Sequence, residues 1–328
     1  MVNLLKTSGR VAGTLFAAAL LLPAQGRIAR PGTVNYTEGV VFLNGQAIQE
    51  RQLGSIEVPA GQTLETQDGK AEMLLTPGVF MRLGDHSAVK MVSPAINDTR
   101  VQLTRGTAML EAAQVEKENH LAVMVDGASA LIQKNGIYEF NASQPAVAVY
   151  DGKVLVRQED QTRELDKGRQ VMLGANNPKL KDQKFEVKEG ENSDPLYSWS
   201  KLRSEYMAEA NMSLAQTVVV TSPNWWYGTG WYWNPYFSSF AFMPGFGYLD
   251  SPFGWGFYSP AFWGGYIAPY YHFGRYPILP GRVRAFNGTA FRGGFVGRTG
   301  PALAPRAFGG GMRMGGGFGG MRGGGGRR

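Results

Sequence analysis

Val147-Ala148-Val149-Tyr150-Asp151-Gly152-Lys153-Val154-Leu155-Val156 is the stretch that decides the fold class of this 328-residue chain. Two apolar runs of period two flank an Asp-Gly pair. Period two puts successive side chains on opposite faces of a strand. Asp-Gly and Asn-Gly relieve the positive φ that tight hairpin turns require. The same punctuation recurs outward from this stretch, at Asn135-Gly136, Asp126-Gly127, Asp68-Gly69 and Asn44-Gly45. Alternation recurs with it: Val79, Met81 and Leu83 against Phe80 and Arg82, Val101 and Leu103 against Gln102 and Thr104, Tyr138 and Phe140 around Glu139. One face of each strand is thus expected on a core, the other toward water or a second layer. With no helical period between residues 32 and 173, the expected fold is all-β: an antiparallel β-sandwich or roll of short strands.

One helix and a long C-terminal tail complete that expectation. Ser193-Asp194-Pro195 supplies a capping side chain and a proline at the first helical position. Leu196, Trp199, Leu202, Tyr206 and Ala210 then recur at three- and four-residue spacing, an apolar stripe expected to pack on the β-domain, with Lys201, Arg203, Glu205 and Glu209 on the opposite side. Residues 176–192 read as a polar connector and 193–211 as the helix.

Charge divides the chain at residue 215. Residues 27–215 carry 21 Lys/Arg and 25 Asp/Glu, whereas residues 216–328 carry ten Arg, no Lys and one acid, Asp250. The net charge of +7 therefore belongs to the tail. Residues 216–276 form an aromatic and Gly-rich low-complexity segment, including Trp225-Trp226-Tyr227 and Trp231-Tyr232-Trp233. Residues 277–328 are Gly- and Arg-rich. Neither holds enough Leu, Ile or Val for a packed core, and dense Gly makes ordering costly in entropy. The aromatic segment is expected to be weakly ordered at best and the rest of the tail largely disordered.

At the N-terminus, Lys6 and Arg10 precede an uncharged run from Val11 to Leu22 and small residues around Pro23-Ala24-Gln25-Gly26. Residues 1–26 read as a secretory signal peptide, cleaved after Ala24 or Gly26. The run would span roughly 18 Å as a helix, too short for a bilayer. The expected location is the periplasm or cell surface, with no transmembrane helix after cleavage. The chain has no Cys, so burial rather than disulfides must stabilise it there.

The β-region, residues 27–175 with its centre at about 61–157, resembles the periplasmic FecR domain. Its "Gly-x-x-x-Arg-Leu" element is matched by Gly78-Val79-Phe80-Met81-Arg82-Leu83, and the following strand pair by Val101, Leu103 and Gly106-Thr107-Ala108-Met109-Leu110-Glu111. Leu121 to Ala130 matches a third strand, and Val147 to Val156 the final pair. The "Gly-Thr-x-Phe-x-Val" element departs from the pattern, since Gly136-Ile137-Tyr138-Glu139-Phe140 lacks the Thr. The resemblance implies a periplasmic all-β sensing or interaction domain. With residues 1–26 read as a signal peptide and no run of 18 apolar residues, the family's usual cytoplasmic anti-sigma segment and transmembrane helix are not expected here, and only the domain is carried over.

No catalytic constellation is expected. Absence of Cys removes thiol nucleophiles and Cys-based metal sites; three His remain, His86 in a predicted turn, His120 at a strand start, and His272. None has a partner spacing that implies catalysis. No enzyme activity, cofactor or metal is expected. Binding is assigned to Trp225, Trp226, Trp231, Trp233, Arg322, Arg327 and Arg328. Three readings suit these Trp and Tyr faces: stacking on sugars, settling at membrane interfaces, or a merely adhesive low-complexity tail. Clustered Arg suits anionic lipid, phosphate-rich polymers or DNA. The expected function is a non-enzymatic FecR-like module tethered by its tail to an envelope protein or an anionic or polysaccharide envelope component. The alternative is a nucleic-acid- or polysaccharide-binding protein, with export arguing against nucleic acid.

Overall fold

The computed structural model describes residues 29–116, 118–174, 177–221 and 228–262. The signal-peptide reading and the segment from 263 to 328 lie outside them. Fifteen strands make one hydrogen-bonded sheet that folds over into two layers. The turning point is β3 (Thr63–Leu74), which pairs with β1 (Val34–Leu43) along most of its length. Its first half pairs with β5 (Ala88–Ala95) and its second half with β4 (Val79–Leu83). Asp68-Gly69, read as a turn, is instead the bend in this strand. Gly39 of β1 faces Gly69 there, at φ +68°, and a Cβ on Gly39 would lie 2.1 Å from the Asp68 carbonyl oxygen. Only two backbones without side chains approach that closely.

From this bend the chain passes back and forth between the layers, mostly two strands at a time. The first layer continues from β5 through β6 (Asp98–Arg105), β8 (His120–Val125), β9 (Ala128–Ile132) and β12 (Lys153–Gln158) to β13 (Gln161–Asp166). The second continues from β4 through β7 (Thr107–Ala112), β10 (Gly136–Asn141), β11 (Ala146–Asp151) and β14 (Arg169–Met172) to β15 (Asp182–Lys184). All pairs are antiparallel except β6 with β8, which are parallel because the chain visits the second layer between them. Val79, Met81, Leu83, Leu110, Tyr138, Phe140 and Val149 of one layer meet Leu64, Val89, Val101, Leu103, Val123, Val154 and Val156 of the other in one buried cluster.

Asn44-Gly45, joining β1 to β2 (Gln46–Ala47), and Asp126-Gly127, joining β8 to β9, are hairpin turns with positive φ at both residues. Asp151-Gly152 and Asn135-Gly136 are not: β11 and β12 do not pair with each other, and neither do β9 and β10. Both dipeptides are joints that carry the chain across the sandwich, and they lie side by side. A Cβ on Gly136 would sit 2.1 Å from the Asp151 carbonyl oxygen, and one on Gly152 would sit 2.2 Å from the Tyr138 hydroxyl. That hydroxyl locks the pair of joints, donating to the Lys134 carbonyl at 2.5 Å and accepting the Lys153 N–H at 2.9 Å. Of the four residues in these joints only Gly152 takes a positive φ, at +97°, and an Asn-Gly or Asp-Gly pair does not say where the next strand goes.

The outer face of the second layer is covered. The expected polar connector holds β15 and the short helix α1 (Val187–Ser193). The next helix, α2 (Pro195–Thr221), starts where expected: the Asp194 carboxylate accepts the Leu196 N–H at 2.8 Å and Pro195 occupies the first turn. It runs well past residue 211. Its buried side is Leu196, Ser200, Arg203, Ser204, Met207, Ala210, Asn211, Leu214 and Val218. Leu202 and Tyr206, assigned to the packed stripe, are 38% and 37% exposed, and Arg203, assigned to the solvent side, is 5% exposed. The stripe is rotated by about one residue, near 100° at 3.6 residues per turn, because the sheet face beneath is charged and selects polar partners.

The aromatic segment folds where it is described. Residues β16 (Gly230–Asn234) and β17 (Ser239–Met243) form one hairpin, β18 (Tyr248–Asp250) and β19 (Gly256–Tyr258) a second. Trp231, Phe240, Phe242 and Phe257 bury against Leu74 and Phe80 of the sheet and Met207, Ala210, Leu214 and Val218 of α2. The expectation of weak order fails for 228–262, and the folded unit does not end at 215. Truncating Met207 to Ala is expected to cost about 2–5 kcal/mol, whereas Leu202→Ala is expected to cost about 0.5 kcal/mol or less. Urea unfolding of the two variants checks the phase of the helix. A chain ended at residue 262 should unfold in one cooperative transition that a chain ended at 215 has lost.

Candidate functional site

The outer face of the second layer carries the molecule's concentration of buried charge. Glu72 of β3 and Arg82 of β4 stand directly opposite each other, with Glu111 of β7 on the far side of Arg82. Arg82 is fully buried and its Nε donates to Glu72 Oε2 at 2.9 Å, its Nη1 to Glu111 Oε2 at 2.7 Å. From α2, Arg203 Nη2 donates to Glu72 Oε1 at 3.0 Å and the Ser204 hydroxyl to Glu111 Oε1 at 2.7 Å. Ser251, after β18, donates to the same Glu111 oxygen. Asn35 of β1 donates to Glu72 Oε1 at 3.0 Å and accepts the Phe240 N–H at 2.8 Å. Two carboxylates and two guanidinium groups thus cancel, and six separate stretches of chain meet on them.

Burial alone would push the Glu72 carboxyl up; Arg203 and Arg82 outweigh it and hold it below its ordinary range. Burial likewise works against the Arg82 charge, and Glu111 and Glu72 more than restore it. Arg203 also lies over the Tyr36 ring, 3.9 Å from its centroid. The cap is tied down beyond the charges. Asn211 of α2 donates to the Phe242 carbonyl at 2.7 Å and accepts the Tyr258 N–H at 2.7 Å, so one side chain joins the helix to both hairpins.

Farther along the same face the coverage stops. Among the described residues Glu139 of β10 forms no ion pair. Burial, then the neighbouring Asp194 carboxylate, raises its carboxyl to about 7, against a smaller opposing effect of the Tyr150 hydroxyl, which donates to Glu139 Oε2 at 3.1 Å. Beside it opens a cleft of about 170 Å³ lined by Glu139, Asn141, Gln144, Gln170, Met172 and Phe185 among others.

The residues assigned to binding from sequence are dispersed. Trp225, Trp226, Arg322, Arg327 and Arg328 lie outside the described residues. Trp231 is 7% exposed, with its ring edge-on to Phe80 at 5.0 Å and to Phe242 at 5.7 Å. Trp233 stands edge-on to Phe240 at 5.3 Å and lies over Gly54, where a Cβ would come within 2.2 Å of the ring. Both are packing residues of the first hairpin rather than open stacking platforms, because their alternation with Tyr232 directs them at the sheet and its loops. His86 sits in a turn at φ +52° with its Nε2 3.2 Å from Asp68, and His120 opens β8. Among the described residues no group of three or more His, Asp or Glu is placed to hold a metal ion, and no helix is long and apolar enough to cross a membrane. The charged network had one signal in the sequence, Arg82, which interrupts the otherwise apolar strand β4.

The family model described as FecR protein matches residues 62–155. No curated protein matches the chain. Two crystal structures of a protein described as an anti-sigma factor from Parabacteroides distasonis, at 1.65 and 2.50 Å resolution, are similar at 15% and 16% identity. Each match has a TM-score of 0.34 and covers 38% of this chain and 61% of the other.

Replacing Glu72 with Leu leaves two buried guanidinium groups short of a partner and should cost about 3–5 kcal/mol. Stability should also respond to pH in two windows. A depressed carboxyl such as Glu72 binds its proton less readily folded than unfolded, so its contribution is present above its ordinary 4.5 and fades as pH falls below it. Glu139 is raised, so its folded form binds the proton more readily, and stability falls as pH rises from 4.5 to about 7. Denaturant midpoints across pH should show the second slope in the wild type and a flatter one in Glu139→Gln.

Proposed function

We propose that this chain, which carries a FecR domain over residues 62–155, is an exported sensing and interaction module without catalytic activity, tethered to the cell envelope by its C-terminal segment. The FecR family is regulatory rather than enzymatic, which supports the first half of this reading. The basic start, short apolar run and small residues at 1–26 support export.

The observation that carries the tether is the division of charge. All ten arginines of the C-terminal third fall between Arg275 and Arg328, in a stretch with no acid, while residues 27–262 hold 21 Lys/Arg against 26 Asp/Glu. An acidic folded body followed by a cationic segment with no core-forming composition favours attachment of the segment to anionic material, with the body held clear of it. Trp225 and Trp226 add aromatic faces suited to sugar rings or a headgroup layer, and Arg322, Arg327 and Arg328 supply the terminal charge.

The test is sedimentation of the full chain with envelope fractions. Attraction through Arg weakens as salt shortens the Debye length from about 10 Å at 0.1 M to about 3 Å at 1 M, whereas aromatic stacking fades much less. The wild type should sediment at low salt and be released at high salt, and a chain with the ten tail arginines changed to Gln should already fail at low salt. Retention at high salt that Trp225→Ala with Trp226→Ala abolishes assigns the residual attachment to the aromatic faces. If the arginine-free chain that also carries Trp225→Ala and Trp226→Ala sediments as well as the wild type, the body is the anchor and the tether reading is wrong.

A further inference from the structure

We propose that the cleft beside Glu139 recognises a cationic side chain, a guanidinium or an ammonium group, presented by a protein partner. This inference concerns the folded body and goes beyond the tether.

The cleft, about 170 Å³, is floored by the outer face of β10, β11 and β14 and walled by Phe185, between β15 and α1. At roughly 30 Å³ of liquid per water it is roomy enough for a cationic head and part of its alkyl stem. Its lining is mixed rather than simply acidic: a carboxylate (Glu139), three side-chain amides (Asn141, Gln144, Gln170) and an aromatic ring with a thioether (Phe185, Met172), and no Lys or Arg. Several of its polar groups are only half used. Glu139 Oε2 accepts from Tyr150, but Oε1 has no hydrogen bond among the described residues. Asn141 Oδ1 accepts the Gln144 N–H at 2.8 Å, leaving the amide nitrogen without a partner there, and the Gln144 and Gln170 amides have none there either.

The walls are set before any partner arrives. Phe185 stands edge-on to Tyr150 at 4.8 Å, Tyr150 stacks on Tyr197 at 4.8 Å, and a Cβ on Gly190 of α1 would come within 2.8 Å of the Tyr150 hydroxyl and 2.9 Å of the Phe185 ring. Glycine at that point lets α1 close against both rings. The groups that act on the Glu139 carboxyl are Asp194 from the cap of α2 and the Tyr150 hydroxyl from β11; Arg82 lies two strands away in the same row, beyond Met109, and is committed to Glu72 and Glu111, while the Tyr197 hydroxyl of α2 donates to Glu191 of α1 at 2.9 Å. A carboxylate with a free oxygen, an aromatic face and amide oxygens, with no resident cation, fits a group that donates several hydrogen bonds, carries positive charge and lies flat against a ring. An anion would meet Glu139 and Asp194 at once, and an apolar group would leave four polar side chains unpartnered.

The experiment titrates the full chain with N-acetyl-arginine methylamide, its lysine counterpart, and the neutral citrulline counterpart as control, following binding by calorimetry at pH 6 and pH 8. At least one of the two cations should bind and citrulline should not. Because the Glu139 carboxyl titrates near 7, affinity for the cation should rise roughly tenfold between those pH values. Glu139→Gln, which keeps size and hydrogen bonding, should lose the affinity gained at pH 8 and the pH dependence with it. Should that variant not fold, Phe185→Leu keeps an apolar wall without the ring and should weaken the guanidinium probe several-fold. Citrulline binding as tightly as arginine, a flat response to pH, unchanged affinity in the variant that folds, or no binding by either cation each overturns the proposal. None of these results touches envelope sedimentation, so the tether reading stands or falls separately.

Discussion

Arg82 is the constraint from which the rest of this structure follows. A guanidinium with no exposed surface in the middle of a sheet is tolerated only if carboxylates accept from it, since the penalty for removing an ion from water is several kcal/mol. Glu72 and Glu111 accept, one from each neighbouring strand, and that fixes the register of β3, β4 and β7 as firmly as the apolar core beneath them. Each new carboxylate then has a second oxygen to satisfy. Glu72 takes Arg203 and Asn35; Glu111 takes Ser204 and Ser251. The demand for partners therefore passes outward from one strand to a helix more than a hundred residues away and to a hairpin beyond it. The helix and both hairpins complete the domain; they are not appended to it.

Much of the sandwich was legible because strands and turns are local. Val79-Met81-Leu83 and Val154-Val156 alternate as required, and the family resemblance over 61–157 coincides closely with the match at 62–155. What failed was partner assignment. Asp151-Gly152 carries the same local signal as Asp126-Gly127, yet one crosses between layers and the other closes a hairpin. The difference lies in what packs behind each Gly, a Tyr138 hydroxyl in one case and open space in the other, and no dipeptide encodes that.

The helix and the aromatic segment were misread for a common reason. An apolar stripe locates the buried side of a helix only when the surface beneath is apolar, and here Ser200, Arg203, Ser204 and Asn211 face inward to meet charge and backbone. Counting Leu, Ile and Val likewise undervalued residues 228–262, whose core is Trp and Phe and whose anchoring is done by Asn and Ser. One signal was present: Trp231-Tyr232-Trp233 and Phe240-Ala241-Phe242 alternate with period two on either side of Asn234-Pro235, the same pattern that identified the strands of the body. Of the residues expected to bind, the two Trp within the described hairpins were needed for packing first.

Two carboxylates on one sheet face show how the molecule separates structure from availability. Glu72 leaves water completely when the domain folds and Glu139 only in part, and in both cases burial works against the charge. Glu72 has two guanidinium groups within hydrogen-bond reach, so its charge is more secure than in water. Glu139 has a neutral hydroxyl and a second carboxylate nearby, so its charge is less secure. The covering helix divides them: α2 brings Arg203 to one end of the face, while at the other end Asp194 is committed to capping the helix and contributes only more negative charge. An arrangement that fully neutralises one end and leaves the other short of a cation stiffens the first and keeps the second responsive to whatever positive group next approaches it.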